Sequence, residues 1–462
     1  MSQLAPWQES IVSRGSLYLV GGSVRDGILL GASKDLDFLV TRIPADELIA
    51  LLEARGRVDV VGRSFGVIRF IPDGASAAID IALPRRETST GSGHRDFAVD
   101  FDPDIPVEAD LGRRDFTINA MAQDVATGAL IDPFDGLGDL RARRLRAVSP
   151  RALREDPLRM LRAVQFAARF ALDIEPETLR AMTDDAHLVT TVSGERIAEE
   201  ITKLLTLAEK PSTGFAIMRK TGLLAHLFPE LSKCDGVAQP PEWHRHDVLE
   251  HSLITCDAAP RDNLAVRLAA LLHDTGKADC RQEIFDEKLE RHRIVFYGHE
   301  EASRRDAAAV LARLRYPRAL ADRVDALIAC HMFDYHAGWS DAAVRRLMAR
   351  IGIDAIGDLI ALRRADQIGS GFEHDTGATD ELMQRIEKEL EKKSATTVRD
   401  LAIGGNDIMR TLAIDPGPQV GRILAMLLEE VLENPVCNTR ENLLARARQI
   451  GNDGSLHERK LR

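Results

Sequence analysis

The sequence has few cysteines, no long apolar run and no net positive charge, and each absence excludes a class of protein. Its 462 residues contain five cysteines, and no two of them are spaced as CxxC. This scatter favours free thiols in a reducing cytoplasm over a disulfide framework or a zinc knuckle. No apolar run is long enough to span a bilayer, and no basic segment followed by an apolar stretch opens the chain. We therefore predict a cytoplasmic protein with no membrane-spanning segment.

The net charge of −11 argues against a surface that is basic throughout, so a nucleic-acid partner would need a local basic patch. One segment supplies such a patch, because nine arginines crowd into it: Arg141, Arg143, Arg144, Arg146, Arg151, Arg154, Arg159, Arg162 and Arg169. An ordinary solvated helix face is the alternative interpretation of this segment.

Strand-like runs occur only in the first part of the chain. They are Leu17–Val20, Asp37–Val40, Val58–Val61, Val67–Ile71 and Ala78–Leu83, with helical stretches between them. From about Ser149 onward the pattern is helical almost throughout, with breaks at 233–243 and 369–378. The pattern predicts an α+β fold: an N-terminal domain with a mixed sheet and helices (1–145), then all-helical domains at 146–235, 240–370 and 380–462.

Three aspartates predict a metal site in the first domain. Asp35 and Asp37 stand two residues apart, so on a strand both side chains share a face, which is costly unless a cation lies between them. Asp80, in a strand of alternating polarity, supplies a third carboxylate. The turn at Gly21-Gly22, before a helix start, offers backbone N–H groups to phosphates. Together they predict Mg²⁺-dependent chemistry on a nucleoside triphosphate, with aspartates that cap helices as the alternative.

A second group of polar residues begins with adjacent arginines, Arg113 and Arg114, which can clamp phosphates. We expect Asp115 to orient one of these arginines and Asn119 to meet a ribose or the backbone. A surface ion pair beside a capped helix is the alternative.

Asp156 and Arg159 lie three residues apart and would share a face of a helix. The aspartate offers acceptors and the arginine offers donors, which complements the donor and acceptor edges of both cytosine and adenine. The same pair would oppose uracil and guanine. The alternative is that Asp156-Pro157 is a helix cap followed by proline at the first helical position.

The order of these motifs resembles class II tRNA nucleotidyltransferases, the CCA-adding enzymes and bacterial poly(A) polymerases, over about residues 15–235. The segments that carry the resemblance are Gly21–Asp26, Asp35–Asp37, Arg113–Ala120, Glu155–Arg159 and Gly194–Glu200.

The resemblance implies a catalytic head at 1–145 and a base- and RNA-binding neck at 146–235, acting on the tRNA 3′ end with CTP and ATP. It implies that Asp35 and Asp37 are metal ligands. It also implies that the nucleotide is bound by two glycines and seven polar side chains, which are Gly21, Gly22, Arg25, Arg114, Asp115, Asn119, Asp156, Arg159 and Arg162. Where the family pattern has arginine this chain has Gln165, which removes one expected phosphate contact.

A second set of metal-type ligands is spread over the helical sequence that follows. Its order, His, His-Asp, His, His, Asp, resembles the HD superfamily of metal-dependent phosphohydrolases over about residues 244–370. The resemblance implies His251, His273, Asp274 and Asp366 as the primary ligands. It implies that His299 and His331 bind a second metal or the phosphate. Imidazole and carboxylate ligands suit Mn, Fe, Ni or Zn, so the metal is not fixed. Core histidines are the alternative.

Lys277, His246 and the C-terminal segment also have expected roles. Lys277 would assist the leaving phosphate, and His246 would line the cleft without binding metal. Residues Asp400–Leu444 resemble the C-terminal RNA-contacting segment of some tRNA nucleotidyltransferases, with a helical packing or dimer segment as the alternative.

Other functions remain open at this point. One alternative is an enzyme that adds only the terminal A. An enzyme that adds only CC is disfavoured by the long stretch between Asp80 and Arg113. A poly(A) polymerase is disfavoured because no long basic tail is present. A uridylyltransferase that modifies proteins is disfavoured by the Asp156 and Arg159 pair. An RNA-binding module without catalysis would leave the aspartates and histidines without a role.

Overall fold

The computed structural model describes residues 4–31, 36–61, 66–89, 97–287, 290–333, 335–372 and 377–452. The chain forms two compact units, residues Met1–Ser232 and Lys233–Arg462, which are called the N-terminal and C-terminal units below.

The described residues of the N-terminal unit contain a mixed seven-stranded sheet and two small pairs of strands, β6-β7 and β10-β11. Its strands are β1 (Ser16–Val20), β2 (Asp37–Thr41), β3 (Gly56–Val61), β4 (Val67–Pro72), β5 (Ile79–Ala82), β6 (Arg85–Ser89), β7 (Phe97–Phe101), β8 (Ala122–Asp124), β9 (Leu130–Ile131), β10 (Arg144–Leu145) and β11 (Asp173–Ile174). The order in the main sheet is β3-β4-β5-β2-β1-β8-β9, and β2 and β5 are parallel while the other neighbours are antiparallel.

The three longest helices of this unit, α7, α9 and α10, all follow residue 150. They are α1 (Pro6–Val12), α2 (Gly22–Leu30), α3 (Ala45–Glu53), α4 (Val107–Gly112), α5 (Gly136–Arg141), α6 (Ala152–Glu155), α7 (Leu158–Phe170), α8 (Pro176–Asp184), α9 (Gly194–Leu207), α10 (Pro211–Thr221), α11 (Leu223–Leu227) and α12 (Pro229–Ser232).

Alternating apolar residues give the main sheet two buried faces. Phe38 and Ile81 pack in one cluster with residues of α1 and α3, while Leu39 packs in another cluster with residues of α4. Because side chains alternate along a strand, Asp37 lies on the face of Leu39, and Asp80 lies on the face opposite Ile81. The core therefore fixes the direction in which both carboxylates leave the sheet.

The C-terminal unit is helical apart from one hairpin. Its elements are α13 (Val248–Ala258), α14 (Leu264–Leu272), α15 (Lys277–Cys280), β12 (Gln282–Asp286), β13 (Arg291–Val295), α16 (His299–Arg313), α17 (Arg318–Cys330), α18 (Asp341–Ile351), α19 (Ile356–Gly369), α20 (Gly377–Glu391), α21 (Gly405–Leu412), α22 (Pro418–Glu433) and α23 (Arg440–Asn452). Helix α14 contacts α13, α17 and α19, and the last three helices surround a separate apolar cluster.

The structure confirms the predicted α+β fold with a mostly helical remainder, although β11 and the β12-β13 hairpin lie within segments that were predicted to be all-helical. All five predicted strands are present, with ends within two residues of the prediction. The stretch between Asp80 and Arg113 contains β6, β7 and α4, and its residues 90–96 lie outside the described part of the chain. None of the helices in the described ranges combines the length and the apolar character that a membrane span requires.

Candidate functional site

The turn after β1 is set by a glycine in a backbone conformation that other residues rarely adopt. Gly21 has a φ of 64°, and a Cβ atom at this position would clash with Nη1 of Arg114. Gly22 then begins α2 and lines a cavity of about 470 Å³. The hydroxyl of Ser23 accepts a hydrogen bond of 2.8 Å from the backbone N–H of Asp37. The predicted turn and helix start are therefore present beside the first residue of β2.

Asp37 and Asp80 are direct neighbours across the parallel strands β2 and β5. Both are exposed, and Asp37 lines the cavity. Asp35, the third predicted ligand, lies outside the described residues, so the prediction that it shares a strand face with Asp37 stays a prediction. Two carboxylates in register on one face provide the oxygen ligands that Mg²⁺ prefers.

Arg25 is buried on one wall of this cavity. Its Nη1 donates a hydrogen bond of 2.6 Å to Oδ1 of Asn119, and its Nη2 lies 2.7 Å from Asp26. The guanidinium also stacks on the rings of Phe166 and Phe170, with centroid distances of 4.9 and 4.8 Å. These contacts fix a cation beside the N-terminus of α2, where a phosphate would bind.

The partners of the adjacent arginines differ from the prediction. Asp110, in α4, pairs with Arg113 at 2.6 Å and with Arg114 at 3.5 Å. Asp115 instead accepts hydrogen bonds from Nε of Arg162 at 2.7 Å and from the amide of Asn119 at 2.9 Å. The expectation that Asp115 orients Arg113 or Arg114 is therefore wrong: i,i+3 and i,i+4 spacing on α4 brings the arginines to Asp110.

Asp115 is buried and anionic. Burial alone would raise the pKa of this carboxyl, but the Arg162 guanidinium and the Asn119 amide hold the pKa below its ordinary value. Asp115 therefore positions Arg162 and Asn119 together, and through Asn119 it also supports Arg25.

Asp156 and Arg159 line the same cavity but do not share a helix. Asp156 lies between α6 and α7, and Pro157 separates it from the first residue of α7. Its Oδ1 accepts from the backbone N–H of Leu158 at 3.2 Å, and its Oδ2 accepts from Arg196 at 2.7 Å. The prediction of a shared helix face is wrong because the residue before a proline is driven to extended backbone, here with φ −136° and ψ 98°.

Arg159 is held by two backbone carbonyls. Its Nη1 donates to Ala152 at 3.2 Å and its Nη2 donates to Arg113 at 2.8 Å. A guanidinium has five N–H donors, so two bonds leave donors for a base edge. Arg196, which the sequence analysis did not assign to the site, lies within the Gly194–Glu200 motif and could have been found there.

The residues around this cavity are mostly cationic. Six arginines and three aspartates line it, and the expected contact at position 165 is not among them. Gln165 is 1 % exposed and does not line the cavity. The arginine-rich lining favours a polyanion such as a triphosphate, and the volume suits a single nucleotide.

A separate cluster of histidines and aspartates occupies the C-terminal unit. Nε2 of His251 lies 3.3 Å from Asp274 Oδ2 and 3.1 Å from Asp366 Oδ1. Nε2 of His273 lies 3.2 and 3.5 Å from the same two oxygens. Helices α13, α14 and α19 bring these residues together, so all four predicted primary ligands converge.

The other oxygen of Asp274 faces two further histidines. Its Oδ1 lies 3.5 Å from Nε2 of His299 and 3.9 Å from Nε2 of His331. The cluster thus contains two triads that share Asp274: His251, His273 and Asp274 on one side, and Asp274, His299 and His331 on the other. A carboxylate that serves two ligand groups through its two oxygens is suited to a pair of cations.

The orientation of the rings fits metal binding. Nδ1 of His273, His299 and His331 each lies 2.6 to 2.9 Å from a backbone carbonyl three residues earlier, which leaves Nε2 directed into the cluster. Although burial would lower it, Asp274 and Asp366 raise the pKa of His273 to about 10. The two carboxylates thus attract positive charge to the point that a divalent cation would occupy.

A cavity of about 690 Å³ opens onto this cluster. Lys277 lines it, with Nζ 2.6 Å from Asp274 Oδ2 and 2.8 Å from Gln239 Oε1. His246, which was expected to line the cleft, is not among the lining residues. His244 takes that place, with its ring packed against His251 at a centroid distance of 4.8 Å, and burial lowers its pKa to about 3.

Three family models match the chain. The "Poly A polymerase head domain" matches residues 17–146, the "Probable RNA and SrmB- binding site of polymerase A" matches 171–234, and the tRNA nucleotidyltransferase domain 2 model matches 294–447. The first covers the sheet and the second covers α8 to α12, while the cavity residues Asp156, Arg159 and Arg162 lie between the two matched ranges.

Relatives with the name Multifunctional CCA protein cover most of the chain. The protein from Paracidovorax citrulli is 39 % identical over 344 residues, which is 72 % of this chain and 78 % of the relative. The protein from Azoarcus sp. is 42 % identical over 65 % of this chain and 69 % of its own length.

Solved structures share the fold along the whole chain. A Bacillus stearothermophilus CCA-adding enzyme in complex with CTP has a TM-score of 0.70 at 24 % identity, covering 97 % of this chain and 98 % of its own. A Thermotoga maritima CCA-adding enzyme complexed with tRNA has a TM-score of 0.53 at 20 % identity, covering 97 % of each chain. By its sequence relatives and its fold, the chain belongs to the CCA-adding tRNA nucleotidyltransferase family.

Proposed function

We propose that this protein adds C, C and A to the tRNA 3′ end from CTP and ATP, with Mg²⁺ held by Asp35, Asp37 and Asp80. The observation that carries the proposal is the register of Asp37 and Asp80 beside the arginine-lined cavity. Bound Mg²⁺ would lower the pKa of the attacking 3′-hydroxyl and stabilise the leaving pyrophosphate.

The chain's own side chains would bind and orient the nucleotide. Arg25, Arg114 and Arg162 neutralise the triphosphate, and the backbone N–H groups at Gly22 receive a phosphate at the start of α2. Asp156 accepts from the amino group of cytosine or adenine, and Arg159 donates to the adjacent ring nitrogen. The Arg196 contact holds Asp156 in its position at the cavity.

A test with staged substrates separates the remaining alternatives. The protein is incubated with tRNA ending before CCA, after C or after CC, with each nucleotide separately, and the products are sequenced. Addition of C to the first two substrates and of A to the third supports the proposal. Addition of A alone, after CC, indicates an enzyme that shares the task with a CC-adding partner, and long A tails indicate a poly(A) polymerase.

We propose a second activity for the C-terminal unit, the metal-dependent hydrolysis of 2′-phosphates and 2′,3′-cyclic phosphates at RNA ends. The two triads that share Asp274 favour it over histidines of an ordinary core, because core histidines do not direct four Nε2 atoms at two carboxylates. A metal here, of the Mn, Fe, Ni or Zn type, would provide hydroxide and neutralise the ester. Lys277 would stabilise the leaving phosphate.

The hydrolase is tested by adding each divalent metal to the metal-stripped protein and following phosphate release from adenosine 2′-monophosphate. Release that depends on one of these metals supports the assignment. A folded protein that binds no metal at residues 251–366 and releases no phosphate contradicts it.

The domain limits and the tail also remain proposals. We assign the head to 1–145, the neck to 146–235, the hydrolase to 240–370 and the tail to 380–462, with a possible RNA contact through the tail. Helices α21, α22 and α23 share an apolar cluster, and α22 also packs on α18, where Arg345 donates to the carbonyls of Leu432 and Glu433. All five cysteines are free thiols, which supports a cytoplasmic location.

A further inference from the structure

The mouth of the C-terminal cavity is lined by large apolar side chains that remain exposed. Trp243 is 70 % exposed, Tyr297 is 66 % exposed and Met332 is 60 % exposed, and all three line the cavity. Among the described residues only three Trp, Tyr or Phe side chains are exposed, and two of them are Trp243 and Tyr297. Exposed aromatic rings at the entrance of a polar site indicate an apolar, planar part of a ligand.

Each of these side chains lies one or two residues from a histidine of the interior. Trp243 precedes His244, whose ring packs on His251, and Met332 follows His331. Tyr297 lies two residues before His299. The same short segments therefore carry a polar group toward the metal cluster and an apolar group toward the entrance.

The segments that carry the two aromatic rings are joined at the surface. Glu242, beside Trp243, pairs with Arg291 at the start of β13, and the distance is 2.9 Å. Strand β13 ends two residues before Tyr297. The hairpin and the Trp243 segment thus form two linked walls above the cluster.

Cationic side chains line the same cavity as the exposed apolar groups and the cluster. Lys277 and Arg293 line the cavity, as does Arg363, whose Nη1 is 3.0 Å from Asp366. A ligand that fits this cavity has a flat apolar group outside and an anionic group inside. A nucleoside with a phosphate on its ribose has that form.

We propose that Trp243 and Tyr297 stack on the nucleobase of the terminal nucleotide and make the C-terminal site selective for nucleoside phosphates over phosphate esters without a base. This inference rests on the proposed hydrolase and adds its specificity-determining residues. Stacking is tolerant of base identity because every base has a π-face, so the site accepts adenine and cytosine alike.

The test compares two nucleoside 2′-phosphates with a small phosphate ester that has neither base nor ribose. Hydrolysis of adenosine 2′-monophosphate, cytidine 2′-monophosphate and glycerol 2-phosphate is measured for the metal-loaded wild type and for Trp243→Ala, Tyr297→Ala and Trp243→Phe. Phe285→Ala is the matched control, because Phe285 is 55 % exposed on β12 but does not line the cavity.

We expect kcat/KM for both nucleotides to fall about tenfold in each alanine variant, mainly through KM. Glycerol 2-phosphate, which has no base to stack, should change by less than about twofold, Trp243→Phe should recover most of the loss, and Phe285→Ala should match wild type. Equal losses on all three substrates, or no loss on any, would overturn the proposal.

A binding measurement separates this inference from the hydrolase itself. If the wild type hydrolyses neither nucleotides nor glycerol 2-phosphate, the hydrolase proposal fails. Calorimetric titration with adenosine 2′-monophosphate then decides the stacking proposal alone. Weaker binding in Trp243→Ala than in wild type and Phe285→Ala supports stacking, and identical affinities overturn it.

Discussion

The two cavities present acidic residues in opposite ways. In the N-terminal unit Asp37 and Asp80 are exposed at neighbouring strands, and the surrounding charge comes from arginines. In the C-terminal unit Asp274 is 2 % exposed and is surrounded by histidines from several helices. Mg²⁺ takes only one or two carboxylates and completes its shell with substrate phosphates, whereas a histidine-rich site supplies most ligands itself. The difference indicates one site that is completed by its nucleotide and one that is preassembled.

The largest effect is expected from the exposed aspartates. Asp37→Ala or Asp80→Ala should reduce nucleotide addition at least several hundred-fold, about 4 kcal/mol of transition-state stabilisation, while tRNA binding persists. Asp35→Ala should behave in the same way. Incorporation of labelled CTP and ATP measures the effect.

Asp73→Ala is the matched control, since Asp73 is exposed in the same unit but lies in the turn after β4, outside the paired register of Asp37 and Asp80. Phosphate release from adenosine 2′-monophosphate should be unchanged in all these variants. Near-normal nucleotide addition by Asp37→Ala would contradict the first site.

The next largest effect is expected from substitution of Asp274, whose carboxylate is shared by the two triads of the C-terminal unit. Asp274→Asn preserves volume but removes the charge that both triads use, so hydrolysis should fall at least about a hundredfold because a bound metal supplies several kcal/mol. Bound metal, measured by mass spectrometry, should fall with it, and nucleotide addition should survive.

Asp279→Asn, at an exposed ion pair with Lys233, serves as the control for Asp274→Asn. Thermal unfolding is recorded alongside, because loss of a resident metal also lowers stability. Full hydrolase activity in a folded Asp274→Asn protein would remove the metal assignment.

Breaking the Asp115 network should cost stability and nucleotide binding together. Asp115→Asn leaves Arg162 without its anionic partner, and we expect a loss of roughly 2 kcal/mol in the free energy of unfolding, less than for a fully buried pair because Arg162 is about one-third exposed. The folded pKa of Asp115 is depressed, so the stabilisation is present above its unfolded pKa of about 4 and is lost as the pH falls below it. Urea unfolding at several pH values from 7 to 3 measures the free energy of unfolding of the wild type and of the variant. If the difference between the two free energies does not become smaller in acid, Asp115 does not stabilise the fold through its charge.

The smallest effect concerns base choice. Asp156→Ala should relax discrimination against UTP and GTP by roughly 1–2 kcal/mol, the lower part of the range for a bidentate base contact, because Arg159 keeps its backbone support. Competition between labelled nucleotides measures the ratio. If Asp156→Ala slows the incorporation of all four nucleotides equally, Asp156 serves only to accept the hydrogen bond from the backbone N–H of Leu158. Arg196→Ala should also weaken the discrimination against UTP and GTP, but to a smaller extent.

The fold was largely predictable because the main strands are short apolar runs bounded by turns. Strands β1, β2 and β4 begin within one residue of their predicted starts, since each is rich in apolar residues. The order of histidines and aspartates also indicated the cluster correctly, and all six of its predicted residues converge.

The errors arose where partners depend on tertiary structure or on one unusual residue. The pairing of Arg113 and Arg114 with Asp110 required α4, a short helix that was not predicted. Pro157 removed Asp156 from the helix of Arg159. His244 was missed because a single histidine in a proline-containing segment has no periodic signal, and only packing against His251 gives it a place.

The turn at Gly21 has a consequence for how this family can vary. The residue carries no functional group, yet its left-handed backbone strains any other side chain, and a methyl group there would displace the guanidinium of Arg114. In a library that samples every substitution, substitutions of this glycine should therefore be depleted about as strongly as substitutions of the predicted metal-binding aspartates. If this glycine proves invariant, the reason would be its backbone conformation and the lack of space for a side chain, and not a role in the chemistry.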